Sequence, residues 1–94
     1  MAVCRIIETG ATPEQYDQVR GRIGAGPENP PPGGQLHIAA RGEDGKIRVI
    51  EVWDSREQAD RWSEENVRPV REQVAPDVGE PKITYYEVHN LMQL

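Results

Sequence analysis

The stretch RVIEVWDSREQADRW, Arg48 to Trp62, changes its hydrophobic period midway. Through Trp53 the residues alternate as in a half-buried strand. After Ser55 they recur at the spacing of an amphipathic helix. Val49, Glu51 and Trp53 therefore share one strand face, and Ile50 and Val52 the other. A carboxylate and an indole together on the less aliphatic face leave two readings. Either that face meets water and the Trp is incidental, or something covers it.

Upstream, GEDG at Gly42–Gly45 reads as a hairpin turn joining this strand, Lys46 to Trp53, to QLHIAA, Gln35 to Ala40. AVCRIIE, Ala2 to Glu8, is rich in β-branched residues and reads as the first strand. Thr12-Pro13-Glu14-Gln15 has the form of a capping box with Pro at the first helical position. Tyr16, Val19 and Ile23 share a helical face, and Gly24 is a fitting stop. Ser55-Arg56-Glu57-Gln58 reads as a second capping box. The helix it opens carries Ala59, Trp62, Asn66, Val70 and Val74 near one stripe, and Pro69 predicts a kink or a restart. KITYYEVHN, Lys82 to Asn90, is the last strand. GAGPENPPPGG, Gly24 to Gly34, reads as an irregular loop, either a lid or a plain connector.

The order β-α-β-β-α-β is the ferredoxin-like split pattern. Right-handed crossovers place both helices on one face of a four-stranded antiparallel sheet, in the order 4-1-3-2. We expect the helices to cover Leu36, Ile38, Ala40, Ile50 and Val52. The opposite face then carries Val3, Arg5, Ile7, His37, Ala39, Val49, Glu51 and Trp53. Tyr85, Glu87 and His89 would join them if the last strand keeps that parity, which its apolar Tyr86 and Val88 leave open. A second copy covering this face would enclose a mixed apolar and ionisable cavity of the kind that binds small molecules.

Ninety-four residues suit a single domain spanning 1–94. Hydrophobic residues make up 36% with no Phe, so the core is thin and a stabilising homodimer partner is expected. The net charge of −5 and the lack of a basic run argue against nucleic acid. No apolar run approaches the ~18 residues of a membrane span, and the chain is expected in the cytoplasm. Cys4, the single cysteine, permits no intramolecular disulfide and reads as a buried small hydrophobe.

The LHIA of Leu36–Ala39, the VIEVWDS of Val49–Ser55 and the VHN of Val88–Asn90 resemble the dimeric α+β barrel superfamily. That superfamily includes antibiotic biosynthesis monooxygenase-like proteins and polyketide cyclases, and the resemblance is strongest to an actinobacterial set. It implies a dimeric barrel and a pocket-lining Trp at the end of the third strand, here Trp53. It also implies oxidation of phenolic or enolic polyketides without flavin, haem or metal, so no cofactor is expected. Where monooxygenase-like members carry a His early in the second helix, this sequence has Arg61 and Trp62.

The expected function is a cofactor-independent enzyme acting by acid/base chemistry on an enolisable aromatic or polyketide-like substrate, as a cyclase, isomerase or monooxygenase. The alternatives are a non-catalytic small-ligand binder and a structural dimer. His37 is the candidate base, because imidazole is the side chain suited to proton transfer at physiological pH. Glu51 orients it, bonds a ligand hydroxyl or pairs with Arg5. His89 is a second acid/base candidate or a partner contact. Trp53, Tyr85, Tyr16, Arg5 and Asn90 are candidate substrate contacts. No metal is expected at His37, His89 and Glu51, because the two histidines sit on opposite edge strands roughly 14 Å apart. Glu57, Asp60, Glu64 and Glu65 read as a solvated helix face.

Overall fold

In the computed structural model, which describes residues 1–94, the chain runs β1 (Val3–Glu8), α1 (Pro13–Ile23), β2 (Gly34–Arg41), β3 (Ile47–Trp53), α2 (Arg56–Trp62), a π-helical turn (Ser63–Val67), α3 (Arg68–Val74) and β4 (Lys82–Glu87). The four strands form one antiparallel sheet in the order β2-β3-β1-β4, the ferredoxin-like arrangement. No helix is long and apolar enough to cross a membrane.

Local chemistry sets the boundaries. At α1 both halves of the capping box form: Gln15 N–H donates to the Thr12 hydroxyl at 3.3 Å, and Thr12 N–H donates to Gln15 Oε1 at 3.0 Å. Gly24 closes the helix in the left-handed conformation, φ 75°, where a Cβ would be strained. At α2 only half a box forms. Ser55 accepts from Gln58 N–H at 3.2 Å, but the Gln58 side chain accepts from the Ser55 hydroxyl instead of its backbone. Pro69 restarts the helix, with the π-helical turn absorbing the mismatch before α3. In the hairpin, Gly45 takes φ 78°, and Asp44 binds both Lys46 N–H and the Arg48 guanidinium.

The side-chain parity is as expected, but the covered face is the other one. Arg5, Ile7, Val49, Glu51 and His37 lie beneath the helices, together with Tyr16 and Val19 of α1 and Trp62 of α2. Leu36, Ile38, Ala40, Ile50 and Val52 alternate onto the face away from the helices, the bare face, beside Cys4, Ile6 and Tyr86; of these only Val52 is buried. The mixed face can be buried because its two central charges neutralise each other. Cys4 is half-buried on the bare face and is not a core residue.

Only eight residues are buried: Ile47, Val49, Val52, Trp53, Ala59 and Ala75, with Arg5 and Glu51. The centre of this thin core is therefore an ion pair, and the helices stand off the sheet around an open space instead of closing on it.

Candidate active site

Register assembles the site before any side chain is considered. β1 and β3 set Arg5 opposite Glu51, β2 and β3 set His37 opposite Glu51, and β1 and β4 set Arg5 opposite Tyr85. Directly opposed residues on one face interact, so four polar groups form a row across the sheet.

Glu51 is the hub. Its Oε1 accepts from Arg5 Nη2 at 2.6 Å, from Arg5 Nε at 3.1 Å and from the Trp53 indole N–H at 3.0 Å. Its Oε2 is 2.7 Å from His37 Nδ1. Burial alone raises a carboxyl pKa. The His37 hydrogen bond, the Arg5 charge and the indole N–H outweigh it and hold Glu51 down at about 2. Glu51 is thus an ionised acceptor and not a proton donor.

That fixes the imidazole. A carboxylate only accepts, so Nδ1 carries the proton and donates. In the neutral ring Nε2 is then a lone-pair acceptor, and the Tyr16 hydroxyl, 2.5 Å away, donates to it. Burial pushes the Tyr16 phenol above its ordinary value, although the nearby Arg20 charge pulls it down. The result is a Tyr16–His37–Glu51 array in which α1, β2 and β3 each hold one member. An oriented base whose other nitrogen is fixed by a carboxylate follows the logic of catalytic triads.

Arg5 closes the array from behind. Its guanidinium, 2% exposed, also donates to the Ala59 carbonyl at 3.3 Å and the Tyr85 hydroxyl at 3.5 Å, and lies 5.7 Å from the Trp53 ring centre. The pairing with Glu51 keeps it charged despite desolvation. No buried side-chain nitrogen or oxygen lacks a partner.

Two cavities meet at this row. One, about 140 Å³, lies between α1, α3 and the sheet and is lined largely by apolar side chains, among them Ile7, Val19, Val49 and Val67. The other, about 350 Å³, is bounded by the Gly24–Gly34 loop, with Pro27, Pro30 and Pro31 in its wall, and by Trp53. His37, Glu51, Arg20 and Trp62 line both. The loop is therefore a cavity wall, held by paired Gly26 and Asn29 backbone bonds at 3.2 and 3.0 Å.

Five of the expected residues, Arg5, Tyr16, His37, Glu51 and Trp53, come together. Tyr85 shares their face but lines neither cavity. Its hydroxyl donates to Asp60 of α2, and Arg56 stacks 4.2 Å from its ring centre. Asp60, read as solvated, thus anchors the last strand to α2. β4 ends at Glu87, so His89 and Asn90 lie beyond it, exposed and without a bond to the row. Arg20 went unread, although its spacing of four from Tyr16 places both on one helical face.

No protein-family model matches the sequence, and no curated protein does. Solved structures match over nearly the whole chain. A protein assigned as an antibiotic biosynthesis monooxygenase from Chloroflexus aurantiacus has a TM-score of 0.70 at 20% identity, covering 99% of this chain and 98% of its own. The heme-degrader MhuD of Mycobacterium tuberculosis, solved with two hemes in its active site, has a TM-score of 0.62 at 16% identity, covering 97% and 99%. SnoaB of Streptomyces nogalater, a cofactor-independent oxygenase, has a TM-score of 0.59 at 13% identity, covering 97% and 94%. These likenesses show the fold: the chain has the ferredoxin-like architecture of the antibiotic biosynthesis monooxygenase group.

Proposed function

We propose that this fold serves a small-molecule enzyme in which His37 removes a proton from an enolisable, phenolic or polyketide-like substrate held beneath the helices. The observation that carries this reading is the Tyr16–His37–Glu51 array, all three members of which line one cavity. The substrate's acidic hydrogen replaces the Tyr16 hydroxyl at Nε2. The electron pair moves onto the substrate oxygen as an enolate or phenolate. The resulting imidazolium is stabilised by the Glu51 carboxylate, which remains ionised throughout. Tyr16, displaced by one bond, is placed to hydrogen-bond the new oxyanion.

Cyclisation, isomerisation and oxygen insertion share this first step. That one similar structure is a cofactor-independent oxygenase and another is assigned as an antibiotic biosynthesis monooxygenase favours dioxygen as the partner of the carbanion. None of the proposed steps draws on a cofactor. An anthrone is a suitable probe, because losing its benzylic proton creates an aromatic phenolate. Oxygen uptake and product mass are measured for the native protein, H37N and Y16F. H37N is expected to lose at least ~10²-fold in turnover and Y16F about tenfold. Undiminished turnover in H37N discards the role. Probe affinity that survives in H37N, with no product from any variant, supports a carrier instead.

The bare sheet face supports a homodimer. Leu36, Val52, Cys4 and Tyr86 form one row across it, and Ile38, Ile50, Ile6 and Thr84 the next. Ile38 is 46% and Tyr86 56% exposed in the single chain. A contiguous patch of this kind on a thin domain marks an interaction surface. Two copies joined through it form the α+β barrel, with each active site inside its own protomer and not between the sheets.

A further inference from the structure

Three arginines line the apolar cavity, and two are neutralised. Arg5 is bound by Glu51, and Arg71 is paired with Glu80 at 3.3 Å. Arg20 has no carboxylate within ion-pair reach. Its side chain donates from Nη2 to the Ala25 carbonyl at 2.8 Å, and its charge acts on the neighbouring Tyr16 hydroxyl. The chain has sixteen acidic residues and a net charge of −5, yet places none of them against this half-buried cation. Arg20 is also the one arginine that lines both cavities, in the same wall as His37. A half-buried guanidinium without a counter-ion leaves a positive charge in the cavity wall that an anionic ligand can meet.

The surroundings limit what that is. The cavity on the loop side is the more polar of the two, with three hydrophobic residues among its twelve lining residues against eleven of twenty-one in the other. Its wall includes Pro27, Pro30 and Pro31, which offer no backbone N–H, so the amide cradle a phosphate uses is missing. One planar guanidinium matches one planar, singly charged group.

We propose that Arg20 is an anion-recognition residue and that the substrate is an aromatic acid. Its ring lies in the apolar cavity, its acidic hydrogen meets His37 Nε2, and its carboxylate reaches Arg20 from the loop side. The proposal rests on the ligand cavity of the preceding section and adds the class of compound that fills it.

Two probes that differ only by a carboxylate test it: 2-naphthol and 3-hydroxy-2-naphthoate. Trp53 and Trp62 line the cavities, so quenching of intrinsic fluorescence reports binding. The native protein is expected to bind the naphthoate at least about tenfold more tightly, as one charge-assisted pair implies. In R20Q the ratio of the two affinities falls to near one, and R20K retains part of the preference. Equal affinities in the native protein, or a preference that survives in R20Q, overturn the proposal. If naphthol binds and the naphthoate gains nothing, Arg20 recognition fails and the cavity stands. If neither probe binds, the cavity reading itself fails and takes the subsite with it.

Discussion

One sheet presents two opposite chemistries. Toward the helices it carries Arg5, His37, Glu51, Trp53 and Tyr85, linked by hydrogen bonds. Away from them it carries Cys4, Ile6, Leu36, Ile38 and Ile50, residues that hydropathy alone assigns to a core. The helices cover the first set. Burial here follows the supply of partners and not side-chain polarity: a carboxylate with four donors can be enclosed, while an aliphatic row is left open for another surface to cover.

The comparison breaks most visibly at Glu51. E51L leaves Arg5, 2% exposed, without its counter-ion, and is expected to cost about 3–5 kcal/mol in urea unfolding. That is a large part of what a domain of this size has. Adding R5M to E51L should restore at least half of the loss, since well-packed apolar residues replace buried pairs at little cost. Such a double variant would still lack an oriented His37, so recovered stability without recovered turnover would assign the pair to the site and not to the fold.

Protonation reaches the same group more gently. The folded pKa of Glu51, about 2, lies below its ordinary 4.5. The stability linked to it is complete above the ordinary value and is lost as pH falls through the folded one. Between about pH 5 and pH 2 the native protein should therefore lose about 3 kcal/mol more than E51Q does, read from urea midpoints at each pH.

The bare face is sharpened by charge. I38E places a carboxylate in the aliphatic row, and a two-fold interface counts it twice. Sedimentation should report at least a ~10²-fold weaker dimer, with the hydrogen-bonded row and probe binding retained. At the low end, T12A removes the α1 cap and costs about 1 kcal/mol, since it touches neither face.

Much of this was legible beforehand. The change of period at Ser55 gave the strand-helix boundary, the Thr12 box gave the start of α1, and the element order gave the sheet. Strand alternation put His37, Glu51 and Trp53 together, because a period of two leaves no freedom once register is set. Which face the helices take was not legible. The pairing of Glu51 with Arg5 was among the readings of the strand pattern; that it would let the mixed face take the helices was not. The bond between Tyr85 and Asp60 escaped because it joins segments twenty-five residues apart. His89 lies past the Val88 N–H bond to the Ala2 carbonyl, the last that ties this segment to the first strand, so the apolar alternation runs on beyond the sheet.

The central claim is that Glu51 fixes the His37 tautomer and so leaves Nε2 as the hydrogen-bond-accepting base. Nitrogen-15 spectra of the imidazole, assigned by comparison with H37N and recorded with the ring neutral, test it most directly. The account predicts a proton on Nδ1 and a bare, hydrogen-bond-accepting Nε2 whose signal moves in Y16F. A ring protonated at Nε2 would contradict it, since no lone pair would then face the substrate.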